Sequence, residues 1–320
     1  MEGMNNGLPC GGAAVCKNFL PTHMNVAHIA IYGNEQVNNH STIFVEQFAR
    51  AHYSIERHAN LSSEINENMI GHSAMCRTQE GRFYGLRAKI GVWGSENIGH
   101  SQVSGACIAA FSQQAEGVNT FEVGFHVFPE LYNNSDVHFY TFWTRDAYSK
   151  TGCYNLRCPG FVPASGAALY PGQAVAPTSS YNGEDRYIII SLHTDPDTGD
   201  WVVYRDDLDT PSFLGHFPRD LCPDMTGSAS RVAWSGFVSY PKNGRGPPMG
   251  SGHFAEEGDR RAAYFKNMKL FDSKGHAQDP VPSSLECMAD RLECYDRSLV
   301  YLAVKDGYLF YYGGPAGCVG

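Results

Sequence analysis

TFEVGFHVFPELY, residues 120–132, decides the fold class. Its first eight positions alternate. Phe121, Val123, Phe125 and Val127 fall on one side of an extended chain, and Thr120, Glu122, Gly124 and His126 on the other. A period of two in β-branched and aromatic residues specifies a strand with one apolar face. DVHFYTFWT (136–144) has the same character and follows across PELYNNS, so the two runs predict a hairpin. The pattern continues outward in both directions. GLRAKIGVWG (85–94) puts Leu86, Ala88, Ile90 and Val92 on one face. RYIIISLHTD (186–195) and WVVYRDD (201–207) flank the turn PDTG. SRVAWSGFVSY (230–240), AAYFKNMKLFD (262–272), and LVYLAV and YLFYYGG around KDG complete the series. Many short strands between recurrent Gly/Pro turns predict an all-β sandwich or barrel.

One part differs. STIFVEQFARAHYSIERHA (41–59) begins on Ser-Thr and spaces its apolar residues as a helix does. Residues before about 70 are richer in Asn and His. We divide the chain there, into an N-terminal segment, 1–67, holding this short helix, and a β domain, 68–320.

The 320 residues are 42% hydrophobic and 18% charged, an ordinary globular composition. The net charge of −9, with no Lys/Arg stripe, argues against a nucleic-acid partner. No apolar run approaches the ~18 residues of a transmembrane helix. The start, MEGMNNGLPCGGAAVCKNFLP, has neither a basic nor a continuous apolar region, so no signal peptide is visible. Ten cysteines without a CxxC pair favour disulfides, and so a secreted protein, over a zinc ribbon. Sequons at Asn39, Asn60 and Asn133 are usable only in that pathway. The N-terminus and the cysteines thus point to different compartments.

Two stretches carry candidate chemistry. On the strand at 120–127, the simplest reading of the polar side is a solvent-facing surface. The functional reading is a concave face with the Glu122 carboxylate at its floor. His126 is four residues along, ~13 Å at ~3.3 Å per residue, too far for a dyad. Glu122 therefore needs a partner from another strand. MGSGHFAEEG (249–258) brings His253 beside Glu256 and Glu257. That is a two-ligand metal hint without an HExxH, and a glycine-shaped loop with solvated acids is the favoured reading. Nothing calls for a metal or another cofactor, and there is no GxSxG elbow for a serine nucleophile.

GRFYGLRAKIGVWG, FEVGFHVFPELYNN, YTFWTRDAYSKTGCYNLRCPGFV, VAPTSSYNG, LGHFPRDL, VAWSGFVSY, PMGSGHFAEEG and FYYGGPAGC follow one another from about Asn68 to Gly320. In this order they resemble the neprosin family of plant proteins, which includes glutamic endopeptidases that cut after proline. The resemblance implies two antiparallel sheets packed as a sandwich, a cleft on the concave face, and secretion. It implies a Cys153–Cys158 bridge within CYNLRC and a Cys294–Cys318 bridge, leaving Cys10, Cys16, Cys76, Cys107, Cys222 and Cys287 unassigned. It places residues 1–67 where the family carries a pro-segment, although their sequence matches one poorly.

The resemblance also implies a pair of glutamates facing each other, one from each sheet. Neighbouring carboxyls do not both ionise readily. The ionised one activates water, and the protonated one donates to the carbonyl oxygen or the leaving amine. Acid pH suits this division. Glu122 falls on the first position. On the second strand, Trp234-Ser235-Gly236-Phe237-Val238, the position of the second glutamate holds Phe237. No acid lies between Arg231 and Arg245, so a shift of register does not supply one. Glu256 and Glu257 are the nearest substitutes in sequence. The implied function is a neprosin-like glutamic endopeptidase acting on proline-containing peptides at acid pH, with activity lowered or lost through Phe237. The alternative is a non-catalytic homologue that binds peptides or cell-wall glycans.

Overall fold

The computed structural model describes residues 68–95, 97–114, 117–146 and 151–319. The N-terminal segment 1–67, with its candidate helix 41–59, Cys10, Cys16, Asn39 and Asn60, lies outside the described residues. The strands are β1 (Met69–Thr78), β2 (Gly85–Gly91), β3 (Val103–Gln114), β4 (Gly117–Val127), β5 (His138–Thr144), β6 (Cys153–Tyr154), β7 (Val162–Pro163), β8 (Tyr187–Thr194), β9 (Trp201–Arg205), β10 (Ser212–Phe217), β11 (Arg231–Pro241), β12 (Ala263–Phe271), β13 (Ala277–Gln278), β14 (Leu285–Ala289), β15 (Asp296–Arg297), β16 (Tyr301–Ala303) and β17 (Gly307–Gly313).

They form two antiparallel sheets. A seven-stranded sheet runs β14-β1-β11-β3-β4-β5-β6. A ten-stranded sheet runs β15-β17-β12-β2-β8-β9-β10-β7, with β13 on β12 and β16 on β17. The alternation on β4 builds the interface between them. Phe121, Val123, Phe125 and Val127 share one buried cluster with Leu86, Ala88 and Ile90 of β2 and Ile190 and Leu192 of β8. Phe121 stacks on Phe217 at 4.6 Å between ring centroids. The expected all-β sandwich is therefore present, with β4 and β5 paired as the hairpin.

Three details depart from the expectations. The hairpin connection contains a short helix, α1 (Pro129–Tyr132), with proline in its first turn. It ends on exposed Asn133 at φ 58°, the left-handed conformation asparagine tolerates at a helix end. Second, β3 lies at the centre of the seven-stranded sheet, although VSGACIAAFSQQ is poor in strand-favouring residues. Packing requires its small side chains. A Cβ on Gly105 would stand 2.7 Å from the Phe237 ring, and one on Gly124 of β4 would stand 2.1 Å from the Ala106 carbonyl oxygen. Third, beside the Cys153–Cys158 and Cys294–Cys318 bridges, a further disulfide joins Cys76 to Cys287. These two are register partners on β1 and β14, although 211 residues separate them in sequence. Among the described residues, Cys107 and Cys222 are buried free thiols. No helix among those residues is long and apolar enough to cross a membrane.

Candidate active site

Glu122 projects from the side of β4 turned away from the ten-stranded sheet. Strand register lays out its surroundings in rows. Glu122 lies beside Phe142 of β5 and Ala109 of β3, and Ala109 lies beside Ala233 of β11. The next row holds Tyr140, Gly124, Cys107 and Ser235. The third holds His138, His126, Gly105 and Phe237. Alanine, cysteine and glycine on the two central strands make a shallow floor, and aromatic rings stand around it.

The simple solvent-facing reading of this face is wrong. Glu122 is 0% exposed and His126 1%. Tyr140, Phe142, Tyr154, Phe128 and Phe237 belong to one buried cluster on this side of the sheet.

The Tyr140 phenol and the Cys107 thiol lie in one row, on either side of Gly124. Burial first, and the Glu122 charge second, push the Cys107 thiol well above its ordinary range. Burial also drives the Tyr140 phenol well up, reinforced by Cys107 and Glu122. Burial thus favours the thiol over the thiolate, the form that acts as a nucleophile. His126 stacks on Tyr140 at 4.1 Å and 8°. Its Nε2 shares a 2.8 Å hydrogen bond with the Tyr132 hydroxyl. Asn155 Nδ2 donates to that hydroxyl at 3.0 Å, leaving its proton for His126. Tyr132 stacks on His138 at 3.7 Å. Phe237 meets Tyr140 edge-on at 6.3 Å.

The two family positions are not on opposite sheets. Glu122 on β4 and Phe237 on β11 share one face of the seven-stranded sheet, with β3 between them. They are offset by four residues. In a flat sheet that is ~13 Å along the strands and ~10 Å across, or roughly 16 Å between backbone positions. Tyr140, Cys107 and Ser235 occupy the intervening row. A carboxyl pair at these positions would therefore act through something held between them, a water and a peptide, and not by direct contact. Alternation shows which side of a strand a residue takes, but not the sheet to which the strand belongs.

Glu256 and Glu257 lie away from the Glu122 face. They lie on a single 3-10 turn, Ala255–Glu257, whose Ala255 packs with Tyr264, Leu309 and Tyr311. Tyr264 and Tyr311 are paired on β12 and β17, so the turn belongs to the ten-stranded sheet, beyond the core from Glu122. Glu256 is exposed. Glu257 accepts from the Tyr181 hydroxyl at 2.8 Å and bonds His253 Nδ1 at 2.8 Å. Burial would raise its carboxyl, but these two hydrogen bonds, with the His253 charge, hold it below the usual range. The Tyr181 ring stacks on His253 at 4.0 Å. His253 and Glu257 thus bond each other, and no group of three metal-binding side chains occurs among the described residues. Glu256→Gln and Glu257→Gln are each expected to leave peptide turnover within about twofold of the parent, measured as initial rates, because distant sites act independently.

Tyr140, Cys107 and the Tyr132–Asn155 pair were not foreseen. Tyr140 was within reach, because the predicted hairpin and the alternation His138, Tyr140, Phe142 put it beside Gly124. Cys107 was not, since β3 carries no strand signal.

A family model described as Neprosin matches residues 100–315, about two thirds of the chain. Among solved structures, scytalido-glutamic peptidase with a peptide-based transition-state analogue aligns at 9% identity and a TM-score of 0.38, over 77% of this chain and 98% of that one. SCP-B, an eqolisin-family peptidase in complex with the tripeptide Ala-Ile-His, aligns at 9% identity and a TM-score of 0.40, over the same shares. Both lie at a distance where a likeness carries no functional weight. The family match covers β3 through β17, including the strands that bear Glu122 and Phe237, and the chain belongs to the Neprosin family.

Proposed function

We propose that this protein is a secreted glutamic-peptidase-type domain that binds proline-containing peptides over the Glu122 face at acid pH and hydrolyses them at a low rate. The observation that carries this reading is the pairing of a buried Glu122 with Phe237 on one face of the sheet. Family membership supports the peptidase class. Glu122 is the one carboxylate of the expected pair, and its role is to take a proton from the attacking water. Phenylalanine neither donates nor accepts a proton, so the leaving amine lacks its acid. The Tyr140 phenol, between the two positions, is a group that can donate a hydrogen bond to a carbonyl oxygen. The three disulfides are consistent with an extracellular protein. Residues 1–67 take the place of a pro-segment, with the peptidase domain at 68–320. No cofactor enters the scheme.

The test is a proline-containing peptide incubated with the full chain from strongly acid to neutral pH, with cleavage followed by mass spectrometry and binding by calorimetry. Glu122→Gln is expected to keep the affinity and lower the slow turnover by about 10²-fold or more, the contribution of a positioned general base. Turnover that survives Glu122→Gln, or absent affinity for proline-rich peptides, would overturn the reading.

A further inference from the structure

The outer face of the ten-stranded sheet gathers cations in a chain of net charge −9. On β2 and β12, Arg87 pairs directly with Lys269, and Lys89 with Lys266. Like charges directly opposite each other destabilise a sheet. Two of the four are compensated. Lys266 bonds Asp259 at 2.6 Å and Asp306 at 3.1 Å. Lys269 bonds Asp279 at 2.6 Å. The other two form no ion pair among the described residues, although the Lys89 charge helps hold the Asp259 carboxyl below its usual range. Among the described residues, Arg87 makes no side-chain hydrogen bond or ion pair, and its Nε is shielded from solvent without an acceptor. Lys89 Nζ sits 3.8 Å above the Tyr187 ring and 5.8 Å from that of Tyr264, with no carboxylate in ion-pair range. Asp207 holds Arg205 at 3.0 Å, and Asp185 accepts from the Tyr264 hydroxyl.

The same row continues across the sheet. Arg87 lies beside Ser191, Ser191 beside Tyr204, and Tyr204 beside Phe213. The Tyr204 and Phe213 rings lie 5.2 Å apart, and Phe213 is 37% exposed. From Lys269 to Phe213 the row crosses four strand gaps, ~19 Å at ~4.8 Å each. Cations outside any ion pair stand toward one end, and half-buried Tyr204 and exposed Phe213 at the other.

We propose that this row binds an acidic polysaccharide, with Arg87 and Lys89 holding its carboxylates and Tyr204 and Phe213 packing against the C–H faces of its sugars. Charge complementarity selects a polyanion, since a guanidinium without an acceptor is the group that carboxylates bind bidentately. The rings select sugars, whose C–H bonds lie favourably on the electron-rich face of an aromatic ring. A peptide is the poorer fit. Peptides that dock on sheets do so along an edge, where backbone groups are open, and the N–H and C=O groups of these central strands are spent in the ladder. This surface lies on the opposite side of the molecule from Glu122 and is independent of the proposed hydrolysis.

The experiment is affinity electrophoresis of the full chain in gels containing polygalacturonate, a neutral glucan or poly-glutamate, with calorimetry of the first. Polygalacturonate is expected to retard the protein, less so as salt rises, and the neutral glucan is not. Arg87→Gln/Lys89→Gln is expected to weaken binding about tenfold or more, the loss of charge-assisted contacts. Phe213→Ala, at an exposed position with little bearing on folding, is expected to weaken it several-fold, and Glu122→Gln to leave it unchanged. Absence of retardation, equal retardation by poly-glutamate, or full binding by either surface variant overturns the proposal. Melting curves establish that each variant is folded.

Discussion

Phe237→Glu is expected to raise turnover of a proline-containing peptide at acid pH by about 10²-fold or more, the contribution of a positioned general acid. The gain should vanish in Glu122→Gln/Phe237→Glu, because the two carboxyls act as one unit. Stability moves the other way. The Phe237 ring is 0% exposed and packed against Gly105 and Tyr140. Removing such a ring costs up to about 3–5 kcal/mol, of which a glutamate side chain recovers only part. Burial also raises the carboxyl's pKa in the folded state. Stability associated with the protonated form is fully present below the unfolded value of about 4.3 and is lost as pH rises through the folded value. The melting-temperature deficit of Phe237→Glu should therefore be smallest in acid and grow toward neutral pH, as read by calorimetric melts across that range. A folded variant with no gain in rate would mean that carboxyls four residues apart, with β3 between them, do not cooperate through the row of Tyr140 and Cys107.

The second large effect is on stability alone. Cys76→Ala/Cys287→Ala is expected to destabilise the protein by about 5 kcal/mol, against about 2 kcal/mol for Cys153→Ala/Cys158→Ala. The difference comes from the unfolded chain. The first bridge closes a sequence separation of 211 residues, and the second one of 5. The long bridge also fastens β14 at the edge of the sheet. Further side-chain ties here are Arg77 Nε of β1, which donates to Glu286 of β14 at 3.0 Å, and Asp290, which bonds His72 Nδ1 at 2.6 Å and accepts from the Ser73 N–H at 3.0 Å. Denaturant melts should show a lower midpoint and a steeper slope for Cys76→Ala/Cys287→Ala, because its unfolded state expands further. Equal losses for the two pairs would mean that native strain outweighs chain entropy.

The strands that could be read in the sequence are those whose local pattern and packing agree. β4, β5, β8, β9, β11 and β12 alternate, carry β-branched or aromatic residues and end on turn signals. β3 could not be read. Its small residues are needed only because Phe237 presses on Gly105, and Ala106 approaches Gly124. β1 and β14 were missed for a related reason, since their pairing joins segments more than 200 residues apart.

The site divides in the same way. Alternation singled out Glu122, and the resemblance to the Neprosin family, carried by the order of short motifs, implied Phe237 in place of an acid and the two cysteine pairs. Alternation and short motifs are local. Burial of Glu122, the common sheet of Glu122 and Phe237, the interposed Tyr140 and Cys107, and the distance of Glu256 and Glu257 were decided by tertiary structure alone. A two-residue period says which side of its own strand a side chain takes. Which strands become neighbours, and what covers the face they make, depends on hydrogen-bonded pairing between distant segments, and no local pattern encodes it.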